Sequence, residues 1–209
     1  MGFFNEEIAI IAYRGASAYE KPGSKEAFRK AIELGAHGVY AELGYLSNYE
    51  LVVEPEGCGL GIRDFLNFIG KDVKVILNLS QVNIKDVDKL AETVASRLKE
   101  VDDLGRLVIA SSDTALLNKV KELTNVKVAA FVSNPFPNIS RLRRLGVNFI
   151  VIPHSLVRAR VVKEAKGRGI EVIAWLVNDP TVLLKMESLG VSAVVTERPD
   201  ILREARKIG

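Results

Sequence analysis

Cysteine occurs once in the 209 residues, at Cys58, so the chain closes no internal disulfide and offers no thiolate pair for a metal. A reducing, cytoplasmic setting is the expectation. Histidine occurs only at His37 and His154, which leaves few side chains able to change charge near neutral pH. No apolar stretch approaches the roughly 20 residues that cross a bilayer, and Met1-Gly2-Phe3-Phe4-Asn5-Glu6-Glu7 carries acids where a secretory leader carries bases. Neither a membrane span nor a leader is expected. Charge of one sign is missing too: 29 Lys and Arg against 26 Asp and Glu give a net charge of +3, mixed along the chain. Without a basic stripe, nucleic acid is not an expected partner. The short run Arg141-Leu142-Arg143-Arg144 reads as the solvated face of a helix.

A hydrophobic content of 48% with 26% charged residues is that of a folded globular chain. β-rich runs alternate with amphipathic stretches from end to end, the pattern of a parallel sheet covered by helices. Eight strands are predicted: Ile8 to Tyr13, Val39 to Leu43, Val73 to Leu79, Leu107 to Ser111, Val126 to Val132, Phe149 to Ile152, Glu171 to Leu176 and Ala193 to Thr196. Leu34-Gly35, Leu145-Gly146, Arg168-Gly169 and Leu189-Gly190 each place a glycine where a helix stops ahead of a strand. Ser24, Ser112-Asp113 and Asn178-Asp179-Pro180 mark helix starts. The unit recurs about every 26 residues, as eight units of a minimal barrel require. A doubly wound open sheet is built from the same units, but Tyr13-Arg14-Gly15-Ala16 after the first strand is not its glycine-rich phosphate turn. The fold class is therefore α/β, a minimal (β/α)8 TIM barrel in one domain over residues 1–209.

Two stretches carry a resemblance. Ile11-Ala12-Tyr13-Arg14-Gly15-Ala16-Ser17-Ala18-Tyr19 followed by Phe28 to Val39 resembles the opening of glycerophosphodiester phosphodiesterases. Val172 to Pro180 and Leu189 to Asp200 resemble that family's last two barrel units. The resemblance implies hydrolysis of a glycerophosphodiester in glycerophospholipid metabolism, assisted by a divalent cation, with two histidines as acid and base.

The chain departs from that pattern at nearly every chemical position. The two histidine positions align with Tyr13 and Pro55, and the glutamate of the family's Pro-Glu-Asn-Thr turn aligns with Pro22. The Glu-x-Asp pair of the second strand becomes Tyr40-Ala41-Glu42, and the third-strand Glu-x-Lys becomes Asn78-Leu79-Ser80. The insertion that follows the second strand in the family is missing, since Glu56 to Gly61 leads almost directly into Ile62 to Leu66. With one carboxylate of three left, Mg²⁺ or Ca²⁺ is not expected, and Glu42 and Glu56 are the candidate ligands if a metal binds at all. Neither tyrosine nor proline replaces histidine as an acid or base near neutral pH.

The expectation is a catalytically impaired barrel that binds a partner or a small phosphate-bearing or glycerol-like ligand. Arg14, Tyr40, Glu42, Asn78, Trp175 and Asn178 are the ligand-binding candidates, with Tyr13 and Tyr45 completing an aromatic, hydroxyl-lined set. Arg14 either clamps an anion or pairs with Glu42 as its nearest counter-charge. Trp175 either walls the ligand or packs. The alternative is a divergent phosphodiesterase using Glu42, Glu56 and His154. The bland readings are that Glu54 and Glu56 are solvated loop acids, that His154 is a loop or capping residue, and that Phe136 folds back onto the barrel rather than anchoring an oligomer contact.

Overall fold

A computed structural model describes residues 2–4, 8–48, 50–79 and 86–208 of the chain. Strands β1 (Ala9–Tyr13), β2 (Gly38–Tyr45), β4 (Lys74–Asn78), β5 (Leu107–Ser111), β6 (Lys127–Phe131), β7 (Phe149–Pro153), β8 (Glu171–Trp175) and β9 (Ala193–Thr196) pair in parallel, each with its neighbour in chain order. β1 pairs with both β2 and β9, which closes the sheet into an eight-stranded barrel. The covering helices are α1 (Lys25–Glu33), α2 (Ile62–Ile69), α3 (Val87–Leu98), α4 (Thr114–Leu123), α5 (Ile139–Arg144), α6 (Ala159–Gly167), α7 (Pro180–Ser188) and α8 (Ile201–Ile208). Three of their starts are those the sequence marks. Ser24, Asp113 and Asp179 accept backbone N–H groups of α1, α4 and α7, with Pro180 in the first turn of α7. The four helix-stopping glycines all take positive φ, between 70° and 85°.

Strand alternation splits the core into two packed sets. Ile10, Ala12, Val39, Ala41, Leu43, Val75 and Leu77 face outward and pack with Phe28, Phe65 and the other helix residues. Ala9, Ile11, Tyr40, Ile76, Val108, Ala129, Val151, Ile173 and Val195 face into the barrel. The amino-terminal end of the interior is stoppered by Phe3, Phe4 and Phe149, whose rings meet edge to face at 4.9 to 5.8 Å. The Arg106 guanidinium, buried between barrel and α2, donates to the carbonyls of Leu66, Gly70 and Val73 and so satisfies the end of that helix.

The departure from the predicted elements lies between β2 and α2. β2 runs two residues past Leu43 and turns back through a ninth strand, β3 (Leu51–Val53), antiparallel to it with Leu43 opposite Val53. Three residues are too few for a periodicity signal, which is why this strand is not legible in the sequence. Ser80 and Gln81 fall outside the described residues.

The β2–β3 hairpin is tied to the barrel by one ion pair. Arg14, directly after β1, donates from Nε and Nη2 to the Glu54 carboxylate at 2.9 and 2.6 Å. Glu54 is completely buried, and its Oε1 also accepts the Glu42 backbone N–H at 2.9 Å. Both partners sit in the left-handed region, at φ +51° for Arg14 and +52° for Glu54, a conformation that disfavours side chains by about 1–2 kcal/mol each. Gly23, which donates its N–H to the Arg14 carbonyl, has no side chain for a reason visible here. A Cβ at this position would lie 2.3 Å from Glu54 Oε2. Glu54 is thus a buried pairing partner and not a solvated loop acid. Phe136 also departs from expectation: it is 79% exposed on the β6–α5 loop, with its N–H held by Asn134 Oδ1. The flanking Pro135 and Pro137 stiffen the loop and keep the ring from folding down.

Breaking a fully buried ion pair costs about 3–5 kcal/mol. Arg14 retains 22% of its side-chain exposure, so Glu54→Gln is expected to lower stability by only about 2 kcal/mol in urea unfolding, with unchanged slope. Phe136→Ser is expected to change it by less than about 0.5 kcal/mol. Equal midpoints for Glu54→Gln and the parent chain would show that the pair does not tie the hairpin.

Candidate functional site

At the carboxyl ends of the strands, where barrels carry their chemistry, lies a cavity of about 400 Å³. It is lined by Tyr13 of β1, Tyr40 and Glu42 of β2, Asn78 of β4, Ser112 just after β5, Phe131 of β6 and Trp175 of β8. The period of two explains the set. Tyr13, Asn78, Phe131 and Trp175 each stand two residues beyond an apolar interior residue of the same strand, namely Ile11, Ile76, Ala129 and Ile173. A second cavity of about 410 Å³, around Phe3, Lys74, Lys127 and Glu171, opens at the opposite end, which in barrels serves stability.

Among the described residues, Glu42 is the one formal charge in the lining of the upper cavity. It is buried, receiving Tyr40 Oη on Oε1 at 3.2 Å and Asn78 Nδ2 on Oε2 at 3.0 Å. Asn78 is only 3% exposed, and its Oδ1, like Nε1 of Trp175, makes no hydrogen bond to the described residues. The aromatic rings form consecutive walls. Tyr13 and Tyr40 lie 5.3 Å apart, Tyr40 and Phe131 6.4 Å apart at 89°, and Phe131 and Trp175 5.6 Å apart at 81°. Burial, and after it the Glu42 charge, pushes both phenols above their ordinary pKa, Tyr40 far above it.

Of the ligand-binding candidates, the structure brings Tyr40, Glu42, Asn78 and Trp175 together, with Tyr13 beside them. It does not bring Arg14. The guanidinium pairs with Glu54, not with Glu42, and the hydrogen bond it donates to that carboxylate is the main cause that raises its pKa. Glu54 wins because the hairpin carries it to the Arg14 guanidinium, while Glu42 already holds the donors of Tyr40 and Asn78. Asn178 lies outside the lining and acts as a strut: its Oδ1 accepts Thr196 Oγ1 and Glu197 N–H, and its Nδ2 donates to Glu197 at 2.6 Å. Tyr45 ends β2 on the exposed hairpin, away from the lining. Glu56 is exposed in the turn after β3. His154 lies in the 3-10 turn His154–Leu156, its Nδ1 bonded to the Leu176 carbonyl at 2.8 Å, and does not line the cavity. His37 takes the Ile10 N–H at the opposite end of β1. Pro55 packs beside Gly44 of β2, and Pro22 is exposed.

Two lining residues, Ser112 and Phe131, are absent from the ligand-binding candidates drawn from sequence, and Glu54, expected there as a solvated loop acid, is the buried partner of Arg14. Phe131 is legible in principle, as the last inward position of a strand whose alternation is clear. Glu54 is not, because its burial depends on a left-handed turn and on a glycine 31 positions away.

Comparison with known proteins agrees with this barrel. The sequence model of the Glycerophosphoryl diester phosphodiesterase family matches residues 62–201, beginning after β1, β2 and β3 and so after Tyr13, Arg14, Glu42 and Glu54. The Bacillus subtilis (strain 168) protein YhdW, assigned as a glycerophosphodiester phosphodiesterase, is 22% identical over 92% of this chain and 96% of its own length. A glycerophosphodiester phosphodiesterase of Caldanaerobacter subterraneus is 21% identical over 92% of this chain and 95% of its own. An Oleispira antarctica phosphodiesterase, solved in complex with the product sn-glycerol-3-phosphate, superposes with a TM-score of 0.84 at 17% identity, covering 99% of this chain and 100% of that one. With the family's sequence model extending over more than half of its length, the chain belongs to the glycerophosphoryl diester phosphodiesterase family.

Proposed function

We propose that this chain is a ligand-binding member of the family that does not hydrolyse phosphodiesters by the family's route. The observation that carries the reading is the composition of the cavity. Among the lining side chains, only Glu42 is of a type that exchanges a proton near neutral pH. Burial and the neighbouring Glu42 hold the phenols of Tyr13 and Tyr40 protonated, and Asn78, Ser112, Phe131 and Trp175 offer no such proton. General acid and general base catalysis contribute typically 10²- to 10⁴-fold, and a single carboxylate does not serve as both partners of a pair at once.

A hard divalent cation gathers several oxygen ligands, carboxylates foremost. Here the lining holds one carboxylate, already carrying a phenol and an amide donor, while Glu54 is committed to Arg14 and the Glu42 N–H. Among the described residues no group of three or more His, Cys, Asp and Glu is placed to hold a metal. The donor set does not fit Mg²⁺ or Ca²⁺, and the proposed role needs no cofactor. The divergent-hydrolase reading through Glu42, Glu56 and His154 draws no support from positions that leave two of the three outside the cavity.

The acceptors on Glu42 and Asn78 suit a ligand that brings hydrogen-bond donors, as the hydroxyls of a glycerol-like molecule do. A phosphate-bearing ligand finds no cation in the lining, and its phosphate would stay at the mouth. No helix among the described residues is long and apolar enough to cross a membrane. We place the role in the cytoplasm on the strength of the lone cysteine.

Two outcomes are expected. Incubation with glycerophosphocholine or an aryl phosphodiester in Mg²⁺, Ca²⁺ or Mn²⁺ should release no product above buffer; release that disappears in Glu42→Gln would overturn the proposal. The second outcome concerns alkaline pH. The folded-state pKa values of Tyr13 and Tyr40 lie above the unfolded value of about 10, so their contribution to stability is complete below that pH and falls away above it. Unfolding free energy should decline above about pH 10, and Tyr40→Phe should flatten the decline. Tyrosinate absorbance from both phenols in the folded chain at pH 10 would contradict this.

A further inference from the structure

We propose that the amino-terminal end of the barrel carries a second binding site, separate from the cavity at the carboxyl ends of the strands, and that it takes a small dianion: a phosphate, a phosphate monoester or a dicarboxylate. Strand parity assembles it. Lys74 of β4, Lys127 of β6 and Glu171 of β8 each stand two residues before an inward residue of the same strand, namely Ile76, Ala129 and Ile173, so all three belong to the interior face at its lower end. The matching residue of β2, two before Tyr40, is Gly38, which adds no side chain to this layer. A Cβ there would lie 2.7 Å from the Lys74 carbonyl oxygen. The three charged side chains, with Phe3, Asn148 and Phe149, surround the open volume of about 410 Å³, within the range of roughly 300–1,000 Å³ found for small-molecule sites.

Two ammonium groups converge in this cavity. Lys74 Nζ lies 4.6 Å and Lys127 Nζ 5.8 Å from the centre of the Phe3 ring, so the two stand no more than about 10 Å apart. Lysines on open surface lack partners routinely, but these two are half-buried, where water screens their charge less. Among the described residues neither comes within ion-pair distance of a carboxylate, the one acid of the lining included. That acid, Glu171, is turned to the start of the chain, its Oε1 accepting the Phe3 N–H at 2.9 Å. A charged layer that served stability alone would gain by pairing these groups with one another. Instead the positive field is left to act outward, and Lys121, beside Asn148, feels it: burial first, then Arg143 and Lys127, push its ammonium below the ordinary pKa.

The neutral polar member of the lining is set to donate as well. Asn148 Oδ1 accepts the Val128 N–H at 3.0 Å and Lys121 Nζ at 3.2 Å, which fixes the orientation of the amide. What that amide has left to offer is N–H, and among the described residues Nδ2 donates to nothing. Two ammonium groups and an amide N–H make a set of donors suited to oxygens that carry negative charge, and a lysine meets phosphate or carboxylate as a compact charge with three donors. A dianion gains from both lysines, whereas a monoanion gains about half as much against the same opposing charge of Glu171.

The full chain is titrated calorimetrically with the sodium salts of inorganic phosphate, sulfate, malonate and succinate, and with acetate and chloride at matched ionic strength. Saturable binding of a dianion is expected, with acetate and chloride at least about tenfold weaker. Lys127→Met keeps an apolar stem against Phe3 without the charge and should weaken the dianion about tenfold, as should Lys74→Met. Glu171→Gln keeps an acceptor for the Phe3 N–H and removes the opposing charge, so it should tighten binding about fivefold. Lys163→Met, on the exposed side of α6, should leave it unchanged. A crystal soaked in sodium selenate gives the position, with an anomalous peak expected between Lys74 and Lys127. Phosphate and sulfate binding without the dicarboxylates supports a phosphate-type ligand; malonate or succinate binding without phosphate supports a dicarboxylate.

Equal response to dianions and to acetate or chloride overturns the proposal, and so does the absence of saturable binding by all four dianions. Binding that survives the double variant Lys74→Met, Lys127→Met, or a selenate peak found only at the carboxyl ends of the strands, overturns it too. Where the double variant does not fold, Glu171→Gln decides: binding unchanged or weakened there contradicts the site. The reading of the carboxyl-end cavity stands or falls separately, since none of its residues takes part.

Discussion

The carboxylate of Glu54, wholly buried against the Arg14 guanidinium, is the contact on which the upper part of the first barrel quarter depends. It joins the end of β1, the backbone of β2 at Glu42, the β2–β3 hairpin and the loop through Gly23 in one cluster of directional bonds. Buried ion pairs often add little net stability, because desolvation offsets attraction. Their stronger effect is on geometry, and here two side-chain-bearing residues are held in left-handed conformations by it. The pair also keeps one cation and one carboxylate out of the cavity together and, among the described residues, leaves Glu42 as the charge of the lining.

From that subtraction the character of the cavity follows. Among the described residues, a carboxylate that accepts from Tyr40 and Asn78, four aromatic side chains and an amide oxygen without a hydrogen bond make a lining rich in acceptors and π faces and poor in titratable groups. Such a lining is the basis of the binding role proposed above. The chain keeps the family's barrel, and its first three strands lie outside the region matched by the family's sequence model.

Much of this was open to reading from the sequence, for physical reasons that differ by residue. Seven helix ends and eight strands were legible because glycine at positive φ, side-chain caps and period-two apolar runs are local signals. Tyr40, Glu42, Asn78 and Trp175 were legible because strand parity and the polarity of a barrel place them at the mouth. Arg14 was placed at the right strand end with the wrong partner, since the choice between Glu42 and Glu54 depends on a three-residue strand and a turn that only tertiary contacts specify. Asn178 was taken for a ligand contact, yet an asparagine beside a helix start is equally fit to brace a neighbouring loop, and Glu197 lies within its reach.

The account turns on a lining whose described residues do not gather a divalent cation, and a crystal soaked in Mn²⁺ tests this most directly. An anomalous difference map should show no peak beside Glu42, with Arg14 bound to Glu54 in the same density. A peak coordinated by Glu42, with Glu54 swung away from Arg14 to share it, would contradict the account and restore metal-assisted chemistry to this barrel.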